Sequence, residues 1–225
     1  MSTATPPQHL VIFGRPGSGK SSLAERLHAA FGYRLVRTGE MLREAIRRGD
    51  NLGARVENHL ARGDLVPDLL IFELLALNLR SPDRVRLLFD GFPRTLGQVR
   101  LLEGFERKLG FKIDSYLDVD VSRAEAIARM TGRRVCPVCG TTYHLIARPP
   151  KRPETCDLDG SPLEKRKDDT MKVVEFRQRL YDEQTEPILD HYRTAYPGHF
   201  HAVNGEQSLD AVYAETCRVL DLTPR

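Results

Sequence analysis

The stretch His9–Leu23, HLVIFGRPGSGKSSL, decides the fold. His9 to Phe13 is a short, nearly unbroken apolar run, as expected of a strand buried on both faces in a parallel sheet. It passes directly into Gly14-Arg15-Pro16-Gly17-Ser18-Gly19-Lys20-Ser21, which fills the pattern G-x-x-x-x-G-K-[ST]. In such a loop the glycines let successive backbone N–H groups turn inward and cradle phosphate oxygens. Beyond it, Leu23, Leu27 and Ala30/Phe31 recur at helical spacing, so the loop opens a helix whose positive N-terminal end also favours phosphate. Lys20 is placed to reach β- and γ-phosphates, and Ser21 to contact a nucleotide-bound magnesium. An ordinary glycine-rich turn would not call for strand, loop, lysine and helix together.

With 225 residues the chain can hold one α/β domain with a sizeable core plus inserted lobes. Its 40% apolar and 29% charged residues describe an ordinary soluble protein, and a net charge of +3 does not by itself argue for nucleic acid. No run approaches the roughly 18 apolar residues of a membrane span, and residues 1 to 8 lack the pattern of a signal peptide. A cytoplasmic protein is expected, in which four cysteines argue for metal binding or burial over disulfides.

Along the chain, Met1 to Gln8 reads as a frayed leader. Tyr33 to Val36 is a second strand, and Thr38 is expected to cap a helix that carries Met41, Leu42 and Ile46 and stops near Gly49. A helix from about Leu52 to Arg62, an extended connection Asp64 to Asp68 and a helix Asp68 to Leu79 follow. Arg86 to Asp90 is a buried strand ending in an acid, the place from which an aspartate faces the magnesium. Ile113 to Val121 is the fourth strand and Arg123 to Met130 a helix. Met171 to about Ala195 is one long helix, His199 to Val203 the fifth strand, and Leu209 to Leu222 a closing helix. Alternating strands and helices predict a five-stranded parallel sheet covered on both sides, with two excursions from it.

From Arg133 to Asp169 there are five prolines, three cysteines and no helical periodicity, which marks an inserted lobe with its own stabilisation. Cys136-Pro137-Val138-Cys139 and Cys156-Asp157-Leu158-Asp159 are two C-x-x-[C/D] knuckles separated by 16 residues, a spacing that suits tetrahedral zinc. Cys136, Cys139, Cys156 and Asp159 are the expected ligands, with Asp157 as the alternative to Asp159. With all four positions filled by protein, the metal is structural. Cys217 reads as a core thiol.

Together these pieces resemble the adenylate kinase family, in its bacterial long-lid form with a zinc-binding lid. The likeness runs from His9 to about Val219. It rests on the order of the phosphate loop, Thr38-Gly39 with Arg43, Asp90-Gly91-Phe92-Pro93-Arg94 with Gln98, Gly132-Arg133-Arg134, Arg166-Lys167-Asp168-Asp169, and Arg177 eight residues before Thr185. The resemblance implies a P-loop nucleoside monophosphate kinase fold and reversible transfer of a phosphoryl group from magnesium-ATP to AMP, giving two ADP. It implies a core of residues 1–36, 67–131 and 170–225, a monophosphate lobe at 37–66 and a zinc-binding lid at 132–169.

By that resemblance, Gly17, Ser18, Gly19, Lys20, Ser21 and Ser22 bind ATP phosphates, Arg129 and Arg133 come from the lid side, Thr142 and Tyr143 flank the ATP base, and Gln207 contributes through its backbone. Thr38, Arg43, Asp64, Leu65, Val66, Gly91, Phe92, Pro93, Arg94 and Gln98 hold AMP, with Gln98 reading the adenine edge. Arg166 and Arg177 lie between the two phosphate chains. Lys20, Arg94, Arg133, Arg166 and Arg177 would be catalytic, with Asp90 orienting the hydrated magnesium. The chain departs from the family's usual pattern at Ser21-Ser22 (usually Gly-Thr), Glu40 (usually Asp) and Gln207 (often Lys).

ATP, AMP and ADP are the expected partners of a monomer that engages neither nucleic acid nor membrane. A UMP or CMP kinase is the nearest rival, opposed by Gln98 and the long metal-bearing lobe. A P-loop ATPase whose zinc knuckle binds nucleic acid would need a basic stripe interleaved with aromatics. Residues 133 to 169 instead mix acids with bases and hold only Tyr143 as an aromatic.

Overall fold

The computed structural model describes residues 8–79, 85–146, 148–166 and 168–223. The leader expected at Met1 to Gln8 falls outside them apart from Gln8, as does Lys167. In chain order the elements are β1 (His9–Phe13), α1 (Lys20–Phe31), β2 (Arg34–Arg37), α2 (Thr38–Arg48), α3 (Asn51–Arg62), α4 (Asp68–Asn78), β3 (Leu87–Asp90), α5 (Leu96–Leu109), β4 (Ser115–Asp120), α6 (Arg123–Thr131), β5 (Arg133–Val135), β6 (Thr142–His144), α7 (Met171–Leu180), a π-helical turn (Tyr181–Thr185), α8 (Glu186–Ala195), β7 (Phe200–Asn204) and α9 (Leu209–Val219).

Five strands form one parallel sheet in the order β2-β3-β1-β4-β7. β1 sends Val11 and Phe13 into one apolar core and Leu10 and Ile12 into the other, which is why its sequence is apolar at successive positions. The chain runs from β1 to β2 on one side and later to β4 on the other. The strand order therefore reverses at β1, and the crevice beyond its carboxyl end is where an open α/β sheet binds ligands. The phosphate loop emerges at that point.

Four features differ from the sequence-based expectation. Helix α5 lies in a stretch that the periodicity reading passed over; Thr95 caps it by accepting a hydrogen bond from the Gln98 N–H at 3.1 Å, and Val99, Leu102 and Phe105 are its buried face. β4 begins at Ser115, not Ile113, because the Ile113 N–H is taken by the Glu106 carboxylate at 2.7 Å. Thr38 is the first residue of α2, not its cap, and its hydroxyl instead donates to the Gly91 carbonyl at 2.9 Å. The long C-terminal helix is broken into α7 and α8 by the π-turn, next to Pro187, which has no N–H to donate to the preceding turn. In the inserted lobe β5 and β6 form a short antiparallel hairpin.

Asp118 on β4 is 6% exposed, and its Oδ1 has no hydrogen-bond partner among the described residues. Burial, reinforced by Asp120 and Glu186 against the pull of Arg193 and Lys20, raises its carboxyl from 3.8 to about 6. A carboxyl whose folded value lies above its unfolded value binds its proton more tightly when folded. The folded state therefore loses stability as pH rises from 3.8 through about 6. Asp118→Asn is expected to stabilise the protein at pH 7 by about 2 to 3 kcal/mol. The gain should shrink to near zero at about pH 3.5. Denaturant unfolding at both pH values measures this, and equal gains would show that Asp118 does not titrate as stated.

Candidate active site

The phosphate loop is shaped by local rules and closed by distant ones. Gly17 has φ +97°, and a Cβ there would meet the Ala126 carbonyl of α6 at 2.5 Å, so only glycine allows this approach. Ser21 Oγ donates to Asp90 Oδ2 at 2.6 Å, joining the loop hydroxyl to the acid at the end of β3. Lys20 Nζ donates to the Arg15 carbonyl at 3.1 Å. Burial, with the positive charges of Arg94 and Arg133 outweighed in part by Asp90, pulls its ammonium down to about 8.

Arg15 ties the loop to the π-turn: it pairs with Asp182 and with Glu186 at 3.3 Å, and its guanidinium lies 4.8 Å from the centre of the Tyr181 ring. Gln178 Nε2 adds a bond to the Pro16 carbonyl at 2.8 Å, and Thr185 Oγ1 one to the Arg94 carbonyl at 3.1 Å. One irregular helix thus positions both the phosphate loop and the loop after β3. Pattern reading missed Arg15, because the loop motif accepts any residue there.

A cleft of about 1090 Å³ opens over the carboxyl ends of β1 and β3. Every residue that the sequence assigned to ATP or AMP lines it, from Gly17–Ser22 through Thr38, Arg43, Asp64–Val66, Gly91–Arg94 and Gln98 to Arg129, Arg133, Thr142, Tyr143, Arg166, Arg177 and Gln207. The cationic side chains crowd one another. Burial pulls Arg166 down to about 10, with Arg133 and Arg43 adding to the effect. It lowers Arg43 and Arg94 in the same direction. Positive charge gathered this closely is relieved by an anion of several charges.

Two aspartates that the sequence supplied only as part of a motif prove to hold these arginines. Asp169 is fully buried and accepts a bidentate pair from Arg133 at 2.8 and 2.6 Å, with Arg177 at 3.8 Å. Asp168 accepts from Arg177 at 2.6 Å. Arg129 reaches the Ser18 carbonyl at 3.2 Å and pairs with Glu125 at 2.7 Å. Arg94 is fixed by its Nε bond to the Gly91 carbonyl at 2.7 Å.

Three further side chains on the cleft are engaged by protein partners. Tyr143 is 4% exposed; its hydroxyl accepts from the Asp157 N–H at 2.8 Å and lies 3.6 Å from Cys156 Sγ, so its side chain belongs mainly to the lobe's interior. The Gln207 side-chain NH2 is taken up by Glu215 at 2.8 Å and the Asn204 carbonyl at 3.3 Å. Glu40 pairs with Arg37 at 2.6 Å, and Arg37 in turn with Glu25 at 2.8 Å.

In the inserted lobe, ligand atoms of Cys136, Cys139, Cys156 and Asp159 all lie within 4.8 Å of one another. Each knuckle closes with the same backbone bond, Gly140 N–H to the Cys136 carbonyl and Gly160 N–H to the Cys156 carbonyl, both at 3.0 Å. Asp157 is turned away and accepts from the Lys151 N–H at 2.9 Å. Three thiols and a carboxylate gathered on two such turns fit a tetrahedral divalent ion such as zinc.

A phosphate loop at the switch point of this parallel sheet, an acid at the end of the adjacent strand and a ring of arginines from separate segments define a P-loop phosphotransferase. A model of the family described as adenylate kinase matches residues 12–196. The chain is 38% identical over 213 residues to an adenylate kinase of Thermococcus onnurineus, covering 95% of this chain and 94% of that one. It is 40% identical over 215 residues to one from Pyrococcus furiosus (95% and 96%), and 39% identical over 208 residues to one from Bacillus subtilis (92% and 95%). The chain belongs to the adenylate kinase family. No helix among the described residues is long and apolar enough to cross a membrane.

Proposed function

We propose that the chain transfers the terminal phosphoryl group of magnesium-ATP to AMP, reversibly, giving two ADP. The observation that carries this reading is the convergence of Lys20, Arg43, Arg94, Arg133, Arg166 and Arg177 on one cleft, where burial holds Lys20, Arg43, Arg94 and Arg166 below their ordinary values. Phosphoryl transfer asks little covalent chemistry of a protein; it needs two nucleotides in line, water excluded and the moving charge neutralised. Arginine suits this because its planar fork binds phosphate oxygens bidentately and stays charged when partly buried.

Gly17 to Ser22 would hold the ATP phosphates, with Arg129 and Arg133 added from the lid side, where Thr142 borders the base site. Thr38, Arg43, Asp64 to Val66 and Gly91 to Arg94 would hold AMP, and Gln98 would read its base. Arg166 and Arg177 stand between the two phosphate chains. Ser21 and Asp90 would hold the magnesium of the nucleotide, which supplies neutralisation of phosphate charge when bound. Residues 37–66 and 132–169 act as lobes that close over the core formed by 1–36, 67–131 and 170–225, so that transfer to water is suppressed. Cys136, Cys139, Cys156 and Asp159 hold a structural zinc ion in the lid. A monomer in the reducing cytoplasm fits thiols kept free for a metal.

The test is ADP formation from magnesium-ATP with AMP, UMP, CMP, GMP or no acceptor. Fast transfer to AMP alone is expected. Preference for a pyrimidine would overturn the acceptor, and loss of ATP without any acceptor would overturn the gating role of the lobes.

A further inference from the structure

We propose that Asp68 fixes which way round the Gln98 amide faces, and thereby sets the polarity with which the site reads position 6 of an acceptor purine. The inference rests on the reading of Gln98 as the residue that meets the base. Gln98 is 3% exposed and lines the cleft. Its Oε1 accepts from the Arg94 N–H at 2.9 Å, and its Nε2 donates to Asp68 Oδ1 at 3.0 Å.

The oxygen and nitrogen of a carboxamide are nearly equal in shape, but these two partners are not interchangeable: a backbone N–H only donates and a carboxylate only accepts. Half a turn of the amide would set two donors face to face at Arg94 and two acceptors face to face at Asp68. Asp68 is itself held in place. Thr95 Oγ1 donates to Asp68 Oδ1 at 3.1 Å while accepting from the Gln98 N–H, and Gly97 lacks a side chain where Asp68 Oδ2 sits, so a Cβ there would overlap that oxygen. Asp68 opens α4 and Gln98 lies in α5, 30 positions away, so this is a contact between elements and not a local cap.

With one position used on each side, the amide keeps one N–H and one oxygen lone pair for a ligand. A 6-aminopurine offers the complement, a donor at N6 and an acceptor at N1. A 6-oxopurine offers the reverse, an acceptor at O6 and a donor at N1. When the ribose and phosphate fix the base's own orientation, an amide that cannot turn pairs with the first and opposes the second.

AMP and IMP differ by this exchange at positions 1 and 6 alone. The experiment compares kcat/KM for the two acceptors with magnesium-ATP, using the full chain and its Gln98→Ala, Asp68→Ala and Asp68→Leu variants. Both Asp68 variants are expected to lower the AMP-to-IMP ratio by roughly 10- to 100-fold, the worth of one hydrogen bond to a charged group, with the KM for ATP unchanged. A purely structural role would depress both acceptors alike and leave the ratio intact. Asp68→Leu keeps roughly the bulk of the side chain but has no acceptor, so the ratio can be read even if Asp68→Ala does not fold. A ratio lost in Gln98→Ala but kept in both Asp68 variants would overturn this inference alone. A ratio kept in Gln98→Ala would overturn the base-reading role of Gln98, and this inference with it.

Discussion

Arg94→Lys is expected to lower turnover by about 10³-fold or more, although it preserves the charge. The guanidinium of Arg94 is anchored by its Nε bond to the Gly91 carbonyl, and its own carbonyl receives the Thr185 hydroxyl. That leaves its terminal nitrogens to form a planar fork toward the cleft. A lysine reaching the same place offers a single point charge, cannot hold the Gly91 carbonyl and a phosphate at once, and loses the bidentate geometry. The site adds a further penalty. Burial, with Arg177 and Arg43 nearby, already pulls Arg94 down, and an ammonium sheds its proton more readily than a guanidinium under the same pressure. Steady-state and single-turnover rates with saturating nucleotides measure the effect. Turnover within a few fold of the parent would remove Arg94 from the reacting centre.

The parts of this site that were legible in the sequence are those written in consecutive residues. The phosphate loop, the acid at the end of β3 and the two cysteine knuckles each need only a short pattern, because one backbone turn positions all of their groups. Partners brought together by the fold were not legible. The Asp169 clamp on Arg133 and the Asp68 bond to Gln98 span 36 and 30 positions, and nothing in either local sequence names the other. Between these extremes, the C-x-x-D spacing favours Asp159 over Asp157, and the backbone turn groups Asp159 with the three thiols while Asp157 faces the Lys151 N–H. Helix α5 is a different case: its Thr95–Gln98 start and its Val99, Leu102, Phe105 face are local signals present in the sequence. The strand order could not be read at all, because strand sequences buried on both faces look alike.

On the proposal that Cys136, Cys139, Cys156 and Asp159 hold zinc, removing the metal is expected to unfold the inserted lobe while leaving the sheet intact. The apolar core of this lobe consists of Cys136, Tyr143, Cys156 and Leu163, and its two strands have three residues each. Burying Tyr143 and Leu163 contributes about 1.5 to 3 kcal/mol each, whereas ordering even ten residues costs on the order of 10 to 20 kcal/mol. A tetrahedral ion contributes roughly 10 to 16 kcal/mol in small zinc modules, far more than these two side chains supply. Amide hydrogen exchange on chelated protein should therefore show protection lost across residues 133–166 and kept in β1, β3 and β4. Because the ligands bind as thiolates and carboxylate, metal content should also fall as pH is lowered. Asp159→Ala should reduce metal content, and Asp157→Ala, whose carboxylate faces the Lys151 N–H, should leave it unchanged. Lid protection that survives chelation, or carefully purified protein with far less than one metal per chain, would mean that the cysteines pack as a small thiol core and that another interaction holds the lobe.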